Sequence, residues 1–452
     1  MTQLIDAELR ERLLSSIAGD SLIILCGAGL SMAAPSKVSS AWHVAQHCAS
    51  TYRKNTGSDL PETITDDIEA IAEHFFGRHE LQNVFLRQLI DWSEFVSRCE
   101  NRGHIAVADL LGAQLVDLVV STNVDMLIEQ AAKRLGEKDF YPVVIQDELN
   151  LNKDGHAPLV KLHGCATRTR FETVWCKSQL DVEPLKSRIE QLAAWLRGHL
   201  PNRDLLVVGF WTDWAYLNAI LEAAVVSTEP RSVIVVDPSS EDALESKSPA
   251  LWKWTQENAR FQHVSASGDQ FLDELRHVIS CHFINRVWEK GKQTYIELFG
   301  YEPATTPSVD LDSFSTDQLY ALRRDITGVP STDIVRGTTI EDAHSLIGLL
   351  QLGLLLCGAT LSSNEFTWNG TSVRLLHTPN ESLSHVRNRF SVEPPNPKPP
   401  TRTVCIGAWD DGGVPQTIIQ RGISQGIIRN TPDNSWESHE RLFNQIKEEL
   451  ST

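Results

Sequence analysis

The sequence predicts an α/β fold, an open, doubly wound parallel sheet with a helical insertion, followed by a smaller α+β region. Three observations predict it. Short, unbroken apolar runs recur at Leu22–Cys26, Leu118–Val120, Leu159–Leu162, Leu205–Val208 and Val233–Val236, as expected of strands buried on both faces. Helical patterns lie between most of them, for example Leu185, Ile189, Leu192, Ala193, Leu196 and Leu200, stopping at Pro201. Each run is followed by glycine or a polar residue, at the carboxyl end of a strand where open α/β sheets bind their ligands.

The elements follow in order. Ile5, Leu9, Leu13, Leu14 and Ile17 recur at helical spacing, and Gly19 closes that helix. The first strand runs into Gly27-Ala28-Gly29. Residues from about 57 to 100 read as a helical insertion between the first and second strands. A helix follows from Met126, and a helical stretch from Asp269 to about Tyr295 closes the α/β region. The domain boundaries expected are 1–295 for the first domain, 296–315 for a Pro/Thr/Ser/Asp-rich linker, and 316–452 for a C-terminal domain. That last part holds an apolar helix near Leu346–Leu356, strands around Phe366–Leu376, and a Pro-rich spacer at Pro394–Pro400. It ends with a strand at Thr403–Gly407, a turn at Asp410–Gly413 and a polar terminal helix.

A length of 452 residues suits two or three domains. Forty-one basic against fifty-nine acidic side chains leave a net charge of −18, which repels phosphate backbones and anionic lipid and disfavours direct nucleic-acid binding. Residues 301–452 are acidic as well, with twelve basic and eighteen acidic side chains. The eight cysteines form no CxxC pair and no dense framework, as in free thiols of a reducing compartment. The first twenty residues lack the apolar core of a signal peptide, and the longest apolar stretch falls short of the ~20 residues needed to span a bilayer. A cytoplasmic protein with no membrane segment is expected.

Each motif has an ordinary structural alternative. Gly27-Ala28-Gly29-Leu30-Ser31 follows a strand, so its backbone N–H groups suit a pyrophosphate, but the third glycine of the dinucleotide fingerprint is Met32, and such a turn is often only a turn. Ser121-Thr122-Asn123-Val124-Asp125 places an amide and a carboxylate at a strand end, where Asn, Ser and Asp also serve as helix caps. His163 suits a base, yet a lone histidine after an apolar strand is more often a satisfied core residue. Trp211 and Trp214 beside Gly209 invite a stacking role, although packing is the commoner fate of tryptophan.

Together the segments resemble the sirtuin family: GAGLS at Gly27–Ser31, Asn101-Arg102-Gly103-His104, STNVD at Ser121–Asp125, LHG at Leu162–Gly164, and the strand ends at Gly209 and Val236-Asp237, in order over residues 21–275. The resemblance implies a Rossmann-like NAD site. In it, Gly27, Ala28, Gly29 and Ser31 hold the phosphates, Asn123 and Asp125 fix the nicotinamide end, and His163 is the base near the nicotinamide ribose. Thr122, Gly209, Trp211 and Asp237 complete the cofactor-binding set. Breaking the bond from ribose to nicotinamide passes through an oxocarbenium-like state, so the site needs a positioned water and a base; histidine supplies the base, and the Asn123 amide can hold water without charge.

The chain departs from the family in two places. Deacylating sirtuins carry two CxxC pairs beyond the LHG motif, whereas this chain has Cys165 and Cys176 there, so no zinc is expected. Ala34-Pro35-Ser36 and Trp42 stand where an Asp-Phe-Arg typically follows the glycine loop. Without the zinc module, water is the simplest acceptor. The arrangement looks like the NAD-hydrolysing effectors of bacterial anti-phage systems, which implies an NAD glycohydrolase controlled by a partner sensor protein bound through the C-terminal domain, in a homo- or hetero-oligomer. The alternatives are an NAD-dependent protein deacylase or ADP-ribosyltransferase, and a non-enzymatic NAD- or ADP-ribose-binding subunit.

Overall fold

The computed structural model describes residues 4–135, 143–144, 159–212, 214–226, 228–258, 260–303, 309–328, 343–378, 382–386, 402–407 and 436–450. The chain divides into two compact units, Met1–Leu275 and Arg276–Thr452. The expected Pro-rich spacer at Pro394–Pro400 and turn at Asp410–Gly413 lie outside the described residues.

The first unit is a doubly wound α/β domain. Helix α1 (Ala7–Ala18) is capped by Asp6, whose carboxylate accepts the Leu9 N–H at 2.8 Å, and it closes at Gly19. Seven strands follow in the sequence: β1 (Leu22–Cys26), β2 (Leu118–Ser121), β3 (Val143–Val144), β4 (Leu159–Lys161), β5 (Asp204–Val208), β6 (Ser232–Val236) and β7 (Phe261–Val264). They pair in the order β3-β4-β2-β1-β5-β6-β7, all parallel. The chain therefore reverses direction across the sheet beside β1, and Leu25 pairs with Val120 on one side and Val207 on the other. This is the topological switch point, beside which ligands of such sheets bind.

Helices α2 (Ala28–Met32) and α3 (Ala41–Thr56) follow β1. Residues 57–100 hold α4 (Ile68–Gly77), a π-helical segment Leu81–Leu89 and α5 (Ser93–Val96), and α3 packs with them. Phe75, Phe85, Leu86, Trp92 and Phe95 form the insertion's own core and pack with Val124, just after β2, and with Trp175 of the connection between β4 and β5. The unit continues with α6 (Arg102–Gly112), α7 (Leu127–Leu135), α8 (Leu185–His199), α9 (Ala215–Val225), α10 (Glu241–Lys247) and α11 (Pro249–Glu257). Its main core joins Ile23, Leu118, Val207 and Val235 of the sheet to Leu192, Leu196 and Ile220 of the helices. Helix α12 (Gly268–Phe299) contains the division between the units.

The second unit is a smaller α+β domain. Strands β8 (Thr360–Ser362), β9 (Glu365–Trp368), β10 (Thr371–His377), β11 (Arg402–Ile406) and β12 (Trp436–Ser438) form a mixed sheet in the order β12-β11-β10-β9-β8. β8, β9 and β10 are antiparallel neighbours, and β10, β11 and β12 run parallel. Helices α13 (Thr316–Thr327), α14 (Ala343–Leu356) and α15 (His439–Leu450) accompany it. Ile284 and Val287 of α12, Ile347 and Leu350 of α14, and Leu442 of α15 close on Phe366, Val373 and Val404 of the sheet. α12 and α14 meet backbone to backbone, since a Cβ on Gly291 would lie 2.2 Å from the Gly348 carbonyl carbon. Asp325 of α13 and Arg374 of β10 form a buried bidentate pair with both bonds at 2.6 Å.

Candidate functional site

The ends of β1 and β2 are tied together by a buried polar cluster. Ser31 on α2 donates to Asp125 Oδ2 at 2.7 Å and receives the Asn123 side-chain amide at 3.1 Å. The same amide reaches the Gly27 carbonyl at 3.1 Å. His104 on α6 accepts the Asn101 N–H on Nδ1 at 3.2 Å, which leaves Nε2–H to donate to Ser31 Oγ at 3.0 Å. Burial pushes the His104 pKa down, against the opposing pull of Asp125, Glu100 and Asp269. The imidazole is thus neutral at neutral pH, and its one proton points to Ser31. Asp125 also caps α7 by accepting the Leu127 N–H at 3.1 Å, so the capping role expected of this motif falls to the aspartate while the asparagine turns back to the glycine loop.

The glycines have a structural cause. A Cβ on Gly27 would sit 2.6 Å from the Phe210 Cα, and one on Gly29 would sit 2.8 Å from the Gly209 carbonyl oxygen. Gly209 itself adopts φ +56°. The Gly27 and Gly29 N–H groups donate to the Val208 and Gly209 carbonyls at 3.1 and 2.8 Å. These two N–H groups therefore brace the loop against β5, and the face it offers to solvent is made by exposed Ala28 and Gly29. Thr122 is buried beside the loop, its hydroxyl 3.1 Å from where a Gly27 Cβ would be.

His163 follows β4 and is buried. Its Nδ1–H donates to the Thr122 carbonyl at 3.3 Å, and Nε2 accepts the Tyr216 hydroxyl at 2.9 Å. The ring lies against Trp175, Trp214 and Tyr216, with centroids at 4.7, 5.9 and 5.5 Å. Burial lowers its pKa to about 3, although the backbone carbonyls of Thr122 and Val174 pull the other way. Just before it, Lys161 is 1% exposed, bonded to the Asp125 carbonyl and to Glu129 at 2.6 Å. Burial pulls this ammonium down, but Glu129, Cys165 and Asp125 outweigh it and the net shift is upward.

The structure thus brings Gly27, Ser31, Thr122, Asn123, Asp125 and His163 to neighbouring strand ends, with Ala28 and Gly29 on the exposed rim. Asp237 ends β6 and accepts the Ser239 N–H at 2.9 Å. Trp211 is a core residue: its indole N–H donates to the Leu244 carbonyl at 2.7 Å and its ring meets Trp252 edge-on. Two residues outside the expected set stand out, His104 on the Ser31 hydroxyl and Tyr216 on His163. His104 lies within the segment at 101–104 and was legible as a motif, whereas Tyr216 has no sequence signal beyond its place after the β5 end.

Cys165 and Cys176 have separate surroundings. The Cys165 Sγ lies 3.3 Å from Met126 Sδ, while Cys176 sits in the insertion core, where burial pushes its thiol up to about 12. Among the described residues one group brings three metal-ligating atoms within 4.8 Å of one another, His277, Cys281 and Asp312 of the second unit. No described helix is long and apolar enough to cross a membrane.

Residues 117–261 match the SIR2-like domain family. This SIR2-like segment contains Asn123, Asp125, His163, Gly209 and Asp237, and the glycine loop precedes it in sequence but is joined to it by the Asn123 and Ser31 hydrogen bonds. Similar solved structures include a Sir2 homolog–NAD complex, at 16% identity over 59% of this chain and 93% of that chain, with a TM-score of 0.31. Another is a Sir2 homologue mutant–ADP ribose complex, at 16% identity over 59% of this chain and 96% of that one, with a TM-score of 0.31. No curated protein matches the chain.

Proposed function

We propose that the first unit, spanning about residues 1–295, binds NAD at these strand ends and hydrolyses it to nicotinamide and ADP-ribose. One observation carries the reading. An uncharged amide, a carboxylate and a neutral imidazole come from adjacent strand ends of a SIR2-like segment, with Asn123 and Asp125 held by one serine hydroxyl.

In this reading Ala28 and Gly29 border the phosphates, Gly27, Ser31 and Thr122 shape the loop, and Gly209 and Asp237 border the adenosine half, with Trp211 packed behind them in the core. The bond from ribose C1′ to the nicotinamide nitrogen breaks, and its electron pair neutralises the pyridinium. The Asp125 carboxylate opposes the positive charge that develops on the ribose. A water held by the Asn123 amide adds to C1′, and its proton leaves toward His163, which is unprotonated at neutral pH. The balance is NAD and water in, with nicotinamide, ADP-ribose and a proton out.

The acidic C-terminal domain, about residues 316–452 after a linker at 296–315, is the part proposed to bind a partner sensor protein within an oligomer. Triggered NAD loss of this kind fits a cytoplasmic effector of anti-phage defence, because an untriggered NAD hydrolase would kill its host. The test is NAD loss by the purified chain, alone and with the product of a neighbouring gene, compared with Asn123→Ala and His163→Ala. Unchanged loss in either variant rejects the assigned site. Turnover of an acetyl-lysine peptide with stoichiometric NAD would replace hydrolysis by deacylation, and NAD recovered intact under activating conditions would leave only binding.

A further inference from the structure

The acceptor nitrogen of the proposed base is already taken. His163 Nδ1–H is bonded to the Thr122 carbonyl, so the lone pair lies on Nε2, and the Tyr216 hydroxyl donates to it at 2.9 Å. An imidazole nitrogen has a single lone pair in the ring plane, so a substrate hydroxyl or water can give a proton to Nε2 only after the phenol leaves. Tyr216 is 0% exposed and His163 3%, so nothing from solvent reaches either atom in this arrangement.

The insertion holds the phenol there. Tyr216 is the second residue of α9, whose own N-cap, Trp214, makes no side-chain capping bond. The cap comes from across the fold: Glu69 of α4 accepts the Ala215 N–H at 3.0 Å. A carboxylate at a helix N-terminus satisfies otherwise orphaned N–H groups and complements the helix dipole. One turn on, Glu73 accepts the Ser178 N–H at 2.8 Å and so ties α4 to the segment after Trp175. Phe85, Trp92 and Phe95 of the insertion then pack on Trp175 with centroids at 5.7, 6.4 and 6.3 Å, and Trp175 covers the His163 ring.

We propose that Tyr216 is a latch on His163, occupying the place of the substrate hydroxyl in the resting protein, and that Glu69 of the insertion keeps the latch closed. The inference rests on the reading of His163 as the base. Release requires α9 to shift away from His163, and the insertion, through Glu69 and the Trp175 packing, is the element whose movement does this. NAD binding in the productive pose selects the unlatched conformer, so its apparent affinity is reduced by the fraction that is closed. A buried hydrogen bond of ordinary net strength corresponds to about a tenfold bias.

The experiment uses the full chain without any partner, as wild type, Tyr216→Phe, Glu69→Gln, His163→Ala and the Tyr216→Phe/His163→Ala double variant. NAD affinity is read by calorimetry, the initial rate by NAD loss and folding by thermal melting. Tyr216→Phe is expected to bind NAD about tenfold more tightly and to hydrolyse it faster, and Glu69→Gln to move both in the same direction by about twofold, while the double variant loses the gained rate. Folded Tyr216→Phe with unchanged or weaker affinity overturns the latch, even if His163→Ala shows the hydrolysis assignment to be right. Tighter binding with no hydrolysis in any variant leaves the latch standing and rejects the base. Should Tyr216→Phe fail to fold, Glu69→Gln decides by the same two readings, and no gain in either overturns the proposal.

Discussion

Both units bury ionisable groups, and one cluster in each does so in a contrasting way. In the second unit Asp325 and Arg374 meet as a bidentate pair, and Asn364 gives the carboxylate a further bond at 2.8 Å. Burial raises the Asp325 pKa, opposed by the guanidinium that faces it. That pair joins a helix to a strand, so the polarity closes on itself. In the first unit the Ser31, Asn123, Asp125 and His104 cluster joins helices α2 and α6 to the turn after β2, beside exposed Ala28 and Gly29. Its groups are uncharged apart from one carboxylate, and it lies beside the switch point. The same expense of burying polar groups thus serves cohesion in one unit and a prepared surface in the other.

The contrast can be broken most sharply at the site. Asn123→Ala and His163→Ala should each lower NAD hydrolysis by about a thousandfold or more, as loss of a water-positioning or proton-accepting group does, read as the rate of nicotinamide release, and Asn123→Ala should also cost about 1–3 kcal/mol because the buried Gly27 carbonyl and Ser31 hydroxyl lose its amide. The second unit should respond in stability instead. Arg374→Met leaves a buried carboxylate without its cation and should cost about 3–5 kcal/mol, whereas pairing it with Asp325→Leu should restore much of that. Chemical denaturation of both variants checks this, and equal losses in single and double variants would contradict it.

Acid should act on both units. Burial lowers His163 to about 3, and burial followed by the charge of His377 lowers His344 to about 4. Unfolded histidine binds its proton near pH 6.5, so between that value and the folded ones the unfolded chain holds more protons. The stability of burying each neutral ring is whole above pH 6.5 and is lost as pH falls toward 4 and 3, by roughly 2 kcal/mol per ring at pH 5. Melting between pH 7 and 5 should show this slope, and His344→Phe should flatten it. At the glycine seam the effect is smaller: Gly27→Ala forces a Cβ to within 2.6 Å of the Phe210 Cα and should cost about 1–3 kcal/mol, the range for overpacking, read as a lower urea midpoint.

Much of this architecture is legible in the sequence because buried parallel strands are written as plain apolar runs. β1, β2, β4, β5 and β6 are such runs, and the polar residues after them land at neighbouring strand ends. The edges are not legible. β7 reads Phe-Gln-His-Val and is only half buried, so its polar side chains hide it, and β3 is two residues long. Tyr216 escapes notice for a different reason. Its partner lies 53 positions away in the chain, and no local spacing records a contact between the start of α9 and the end of β4. Trp211 has an apolar and a hydrogen-bonding part like any tryptophan, and only the fold reveals that Leu244 takes its N–H.

The seam between Gly27, Gly29 and Gly209 has no side chain to yield. Two loops from different strands approach main chain to main chain there, at distances that leave no room for a Cβ. A side chain at any of these three positions would hold the turn after β1 away from the turn after β5, so one close approach depends on three glycines at once.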